Sequence, residues 1–123
     1  MEISFRQTSL KDGERELFFL QSLESENING FQMKIPKNMK EFEKLLNKFI
    51  KDSENPDSGR VPQKVYWVEI NEKIIGIVKI RETLNENLKK IGGNIGYFVG
   101  KDYRNKGYGK KILKNALALF RNH

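Results

Sequence analysis

The sequence contains no cysteine. That excludes disulfides, thiolate metal sites and a thiol nucleophile, so any group transfer would have to avoid a cysteinyl intermediate. There is one histidine, His123, the final residue. A histidine-based zinc centre or a Ser-His-Asp relay therefore has nothing to be built from, and no metal site is expected. Long hydrophobic runs are also missing. No stretch approaches the ~20 consecutive apolar residues of a membrane helix, and Met1-Glu2-Ile3-Ser4 lacks the basic-then-apolar layout of a signal peptide. The expectation is a soluble, cytoplasmic protein with no membrane partner.

What is present fits one small domain over residues 1–123, with 37% hydrophobic residues, enough to bury a core. The formal charge is +7, and it is concentrated. Lys101, Arg104, Lys106, Lys110, Lys111, Lys114 and Arg121 face a single acid, Asp102, in the last fifth of the chain, which leaves the preceding hundred residues near neutral. A focused positive field of this kind attracts a phosphorylated cofactor, a nucleic acid or another anionic surface.

Hydrophobic periodicity places the elements. Residues 2–7 alternate, with Ile3 and Phe5 on one side, as in a half-buried strand. Residues 10–26 carry Leu10, Leu17, Phe18, Phe19 and Leu20 among acids, which predicts one helix or two short ones. Asn38 with Glu41 three residues on has the form of a capping pair, and Met39, Phe42, Leu45, Leu46 and Phe49 recur at helical spacing through Ile50. Residues 52–62 form a turn-rich loop inside the domain. The runs KVYWVEI and KIIGIVKIR, joined by Asn71-Glu72, have the pattern of an antiparallel hairpin, with one of Tyr66 and Trp67 in the core. A polar connection ending in Gly92-Gly93 leads to a short strand at residues 94–99. A final helix begins near Lys106 or Gly107 and carries the stripe Ile112, Leu113, Ala116, Leu117, Phe120. The order is strand, helix, helix, three strands in a meander, loop, helix, which defines an α/β (α+β) domain.

Arg104-Asn105-Lys106-Gly107-Tyr108-Gly109 lies between the last strand and the last helix. Backbone N–H groups in a helix's first turn lack intrahelical acceptors and sit at the positive end of its dipole, which makes the turn an anion site. Gly107 and Gly109 allow close backbone approach, while Arg104, Lys106 and Lys110 add cationic side chains. These residues point to a phosphate. They match neither the Gly-x-x-x-x-Gly-Lys-Ser/Thr loop nor the Gly-x-Gly-x-x-Gly fingerprint, so nucleoside triphosphates and NAD are poor candidates.

Ile95-Gly96-Tyr97-Phe98-Val99, Tyr103 and then Arg-x-x-Gly-x-Gly from Arg104 to Gly109 resemble the acetyl-CoA-binding segment of GNAT-superfamily acyltransferases. The preceding hairpin resembles the second and third strands of that family. The resemblance implies a GNAT-like mixed, mainly antiparallel sheet flanked by helices. It also implies that the backbone of Arg104, Asn105, Lys106, Gly107, Tyr108 and Gly109, with Arg104 and Lys110 nearby, cradles the pyrophosphate of acetyl-CoA. Phe98 and Val99 would offer backbone groups to the pantetheine arm. The partners implied are acetyl-CoA as co-substrate and an amine acceptor, which attacks the thioester directly in a ternary complex. An alkyl amine with a pKa near ~10.4 must first lose a proton, and Glu82 and Glu86, after the third strand, are the candidate bases. Lys101 stands where the family often has proline. The family pattern continues past residue 123 with a fifth strand, a fourth helix and two more strands, so the expectation is a C-terminally truncated domain whose exposed sheet edge could pair with a second copy.

The rival reading is a non-catalytic CoA- or polyanion-binding module. Aromatic residues interleave with the basic cluster only at Tyr103 and Tyr108, and no RNP box or helix-turn-helix pattern is present, which argues against nucleic acid.

Overall fold

The computed structural model describes residues 2–23, 27–28, 31–55, 62–81 and 95–121. Its main sheet has four antiparallel strands in the order β1-β4-β5-β6, where β1 is Ser4–Gln7, β4 Gln63–Ile70, β5 Lys73–Arg81 and β6 Ile95–Val99. The last three form the expected meander. Helices α1 (Glu14–Gln21) and α2 (Met39–Glu54) supply the core on one face, and α3 (Tyr108–Arg121) covers the other. A two-stranded ribbon, β2 (Asn27–Ile28) and β3 (Phe31–Gln32), lies between α1 and α2 in the chain and packs near β6.

The β4–β5 hairpin is built on its turn. Asn71 and Glu72 have φ of 50° and 66°, both left-handed, as a two-residue turn matched to the twist of its strands requires. The register runs Ile70↔Lys73 and Glu69↔Ile74, then skips to Val68↔Gly76. Ile75 is thus the extra residue of a bulge. Adjacent side chains normally face opposite ways, as Ile74 in the α1/α2 core and Ile75 in the α3 core do, and the bulge then shifts the alternation, so that Ile77, three positions from Ile74, is again on the α1/α2 side. Trp67, fully buried beneath α1 and α2, is the core member of the Tyr66/Trp67 pair.

Asn38 caps α2 as its sequence suggests, its Oδ1 accepting from the Glu41 N–H at 2.9 Å. Phe42, Leu46 and Phe49 form the buried stripe. The helix runs past Ile50 to Glu54, through polar residues with no apolar periodicity to announce them, and closes with Asn55 N–H donating to Lys51 at 2.7 Å. In contrast, α1 is shorter than its apolar content suggested. It starts at Glu14 because the preceding residues do something else: Asp12 N–H donates to the Ser9 carbonyl, and the Glu16 carboxylate accepts from the Gly13 N–H at 3.0 Å. Leu10 and Phe18 are accordingly exposed.

A polar cluster pins this β1–α1 turn to the sheet. Asp12, with its side chain 2% exposed, accepts from Arg6 at 2.7 Å, from the Ser9 N–H at 2.8 Å and from the Trp67 indole at 2.8 Å. Arg6 and Arg15 both reach Glu69 across the sheet, and Arg15 also pairs with Glu16. Burial alone would lower the Arg6 pKa, but hydrogen bonds to Glu69 and Asp12 outweigh it and the net shift is upward.

Candidate functional site

The cofactor-binding candidates lie where β6 runs into α3. Gly100 N–H donates to the Ile75 carbonyl at 2.7 Å, a short 3-10 turn (Lys101–Tyr103) follows, and Tyr103 N–H closes on the Gly100 carbonyl at 2.8 Å. The chain then passes through Asn105 (φ 63°) and Gly107 (φ 82°) into α3, whose first helical bond is Lys111 N–H to the Gly107 carbonyl at 3.3 Å. Gly107 is therefore the cap residue. The N–H groups of Tyr108, Gly109 and Lys110 lie in the first turn, where the helix offers them no acceptor.

The two glycines have different reasons to be there. A Cβ at Gly107 would meet nothing within 4 Å, so the surface beside it is open, and its positive φ is what favours glycine. A Cβ at Gly109 would lie 3.3 Å from the Tyr97 hydroxyl. Gly109 makes room for an aromatic ring under the helix, a requirement invisible in the motif itself.

Aromatic contacts brace the turn. Tyr103 and Tyr108 meet edge to face with centroids 5.9 Å apart, Lys111 lies 5.6 Å over Tyr108, and Lys73 lies 5.9 Å over Tyr103. The Tyr108 ring is thus part of the scaffold, leaving its backbone N–H as the group it can offer. Lys106 and Lys110 are exposed. Arg104 folds back, its Nε donating to the Val99 carbonyl at 3.0 Å, so the guanidinium lies against the end of β6.

The edge of β6 follows from register. Gly100 and Ile75 form a hydrogen-bonded pair, and in an antiparallel ladder such pairs alternate with pairs whose backbone groups point outward. With Ile77↔Phe98 and Lys79↔Gly96 in the bonded set, Val99, Tyr97 and Ile95 turn their N–H and C=O groups away from β5. Two further distances agree: the Val99 carbonyl is reached by Arg104 from outside, and a Cβ at Gly76 would lie 2.7 Å from the Phe98 carbonyl, on the inner side. Of the two residues expected to offer backbone groups, Val99 faces the outer edge, with its carbonyl held by Arg104, and Phe98 faces β5; Tyr97 is the next outward-facing residue along the strand. The period of the strand could have shown this, since neighbouring residues cannot both face one edge. Among the described residues no strand pairs with this outer edge.

Glu82 and Glu86, the candidate bases, lie outside the described residues. One titratable group that the sequence did not single out is Lys79, half-buried on β5 and paired in register with Gly96. Burial, reinforced by Arg81 and Lys48, lowers its pKa, and Asp52 opposes the shift. Among the described residues no cluster of three or more His, Asp or Glu could hold a metal ion, and no helix is long and apolar enough to cross a membrane.

A two-faced antiparallel sheet flanked by helices, with a strand edge leading into a glycine-capped helix N-terminus, defines a mixed α/β domain. Residues 20–123 match the model of the acetyltransferase (GNAT) family, and the chain belongs to that family. It is similar in structure to an acetyltransferase of the GNAT family from Streptococcus pneumoniae, with 28% identity and a TM-score of 0.56, covering 95% of this chain and 66% of that one. The present chain thus spans a little under two thirds of that protein's length. Among curated proteins no sequence matches it.

Proposed function

We propose that residues 1–123 act as one domain that binds acetyl-CoA and passes its acetyl group to an amine. The observation that carries the reading is the continuity of backbone groups: the outward N–H and C=O of Tyr97 and the outward N–H of Val99 lead to the N–H groups of Tyr108, Gly109 and Lys110. The helix end suits a pyrophosphate, because its N–H groups and dipole favour negative charge, and Gly107 leaves the approach open. Lys106 and Lys110 add charge at the rim. An amide-containing arm suits the β6 edge, where it would pair as an added strand does. Arg104 bounds this edge at its α3 end, its Nε on the Val99 carbonyl fixing the end of β6 relative to the turn.

With the thioester held along β6, a neutral amine attacks its carbonyl carbon. A C–N bond forms, the C–S bond breaks, the nitrogen loses one proton and the sulfur leaves as thiolate, to be protonated to the CoA thiol. Glu82 and Glu86 remain the candidates to accept the amine's proton, directly or through water. Orientation supplies much of the acceleration in such direct transfer.

The test is calorimetric titration of the 123-residue chain with acetyl-CoA, repeated with Gly107→Glu and Arg104→Ala, followed by an assay of thiol release with an amine panel. Gly107→Glu should abolish binding, because a carboxylate would occupy the anion site, and Arg104→Ala should weaken it. Binding without thiol release would favour a CoA-binding module. No binding by the folded chain would overturn the proposal.

A further inference from the structure

A second concave feature lies on the α1/α2 side of the sheet, away from the α3 turn. A cavity of about 370 Å³ is lined by Lys34 and Pro36, which follow β3, and by Glu41, Lys44, Leu45 and Lys48 of α2. Its volume is that of a small-ligand pocket. The floor is apolar: Leu45 packs on the core and Pro36 is buried. Its walls carry three ammonium groups and one carboxylate, and that carboxylate is occupied, accepting from the Lys37 N–H at 2.9 Å.

The positive charge continues onto the sheet. Lys48 and Arg81 lie within electrostatic reach of half-buried Lys79, as does Asp52, whose charge opposes theirs. Lys79 pairs in register with Gly96, on the strand whose outer edge leads to the α3 turn. The segment bearing Lys34 and Pro36 comes directly after β3, which packs near β6. Lys34, Lys44 and Lys48 thus give this groove a basic rim against the one carboxylate of its lining, Glu41, and Lys48 carries the positive field toward Lys79 and Arg81 on the sheet whose edge is proposed to hold the thioester.

We propose that this groove recognises an anionic group, a carboxylate or phosphate ester, on a small amine acceptor. The inference rests on the acyltransferase reading above. A solvated lysine face would need neither an apolar floor nor a half-buried lysine, whereas an acceptor with a short aliphatic spine and an anionic end uses both: the spine lies on Leu45 and Pro36 while the anion meets the ammonium groups. Attraction to several cations offsets the cost of desolvating such an anion in a way that one exposed pair does not.

Isotope-labelled chain should be titrated by NMR with matched amines that differ only in the anionic group: lysine against cadaverine, and phosphoethanolamine against ethanolamine. The anionic member should bind at least tenfold more tightly and shift the amides of Lys34, Lys44 and Lys48. Lys44→Glu/Lys48→Glu, two exposed positions on α2, should erase the preference, and Lys11→Glu/Lys40→Glu, equal in charge but outside the groove, should keep it. Equal binding of the paired amines, or the same preference in both double variants, would overturn the inference. Acetyl-CoA titrated into the same sample reports on the α3 turn separately. A chain that binds acetyl-CoA but shows no anion preference retains the acyltransferase reading and loses this one. A chain that binds the anionic amine in the groove but not acetyl-CoA keeps the anion site and loses the acyltransferase reading.

Discussion

The indole N–H of Trp67 donates to Oδ2 of Asp12 at 2.8 Å, inside the fold and across 55 positions of sequence. The same carboxylate holds Arg6 and the Ser9 N–H, so one acid joins β1, the turn before α1 and the centre of β4. Asp12→Ala should leave the indole and the Ser9 amide without their acceptor and cost about 2–4 kcal/mol in denaturant unfolding. Asp12→Asn, which keeps one acceptor oxygen, should cost less. Equal losses for the two variants would mean that the hydrogen bonds are not what stabilises this corner.

Gly76→Ala tests the close approach of β5 and β6. The new Cβ would lie 2.7 Å from the Phe98 carbonyl, a backbone atom that cannot swing away. The expected loss is about 2–3 kcal/mol, with reduced acetyl-CoA affinity as β6 is displaced. A variant of wild-type stability would contradict the register at this point.

The glycines of the α3 turn should respond differently. Gly107→Ala places a Cβ at φ 82° and should cost roughly 1–2 kcal/mol, with Gly107→Asn milder. Gly109→Ala meets the Tyr97 ring at 3.3–3.4 Å, so any loss should be recovered by shortening that neighbour. Gly109→Ala/Tyr97→Phe should therefore be more stable than Gly109→Ala alone by thermal unfolding. Failure of the second change to help would remove the hydroxyl as the point of conflict.

The cap of α2 provides a local test. Asn38→Ala removes the acceptor of the Glu41 N–H and should cost about 1 kcal/mol. Asn38→Asp or Asn38→Ser should restore most of it.

Lys79 gives a pH signature. Its folded pKa lies below the ordinary 10.5, chiefly through burial, so between the two values the unfolded chain binds more protons and stability rises with pH. The burial penalty is fully present below the folded pKa and gone above the unfolded one. Lys79→Met should raise the melting temperature at pH 7, and that advantage should shrink as pH climbs toward 10.5. A difference independent of pH would show that charge is not its origin. If Lys79 serves the groove, the stabilised variant should bind anionic amines less well.

Much of this was legible from the sequence where local rules and packing agree. The Asn38 cap, the Asn71-Glu72 hairpin and the stripe Ile112/Ala116 each follow from one short segment, and each is where the pattern puts it. The α3 turn was found because glycine spacing, a strand before it and an amphipathic helix after it reinforce one another. What was hidden depends on register or distant partners. Tyr97 replaces Phe98 at the β6 edge because one ladder bond, Gly100 to Ile75, decides which residues face out. The role of Gly109 depends on a ring from another element, the shortened α1 on a carboxylate that meets Trp67, and the cavity lined by Lys34, Lys44 and Lys48 on side chains that neither period nor motif connects. The side chain of Phe120, assigned to the α3 stripe, lies outside the described residues.

The two left-handed residues of the β4–β5 turn bear on how the chain reaches this state. These strands occupy the middle of the sheet, and every other strand of the sheet joins by pairing with one of them: β1 with β4, and β6 with β5. Closing a two-residue turn costs far less chain entropy than bringing Gln7 to Tyr66, since loop-closure cost rises with the logarithm of loop length. The order of assembly that follows is a central hairpin first, β6 added next with its connection to α3, and the N-terminal strand last, locked by the Asp12 corner. A substitution such as Asn71→Val, which resists a positive φ, should therefore slow folding more than it speeds unfolding, whereas Asp12→Ala should act mainly on the unfolding rate.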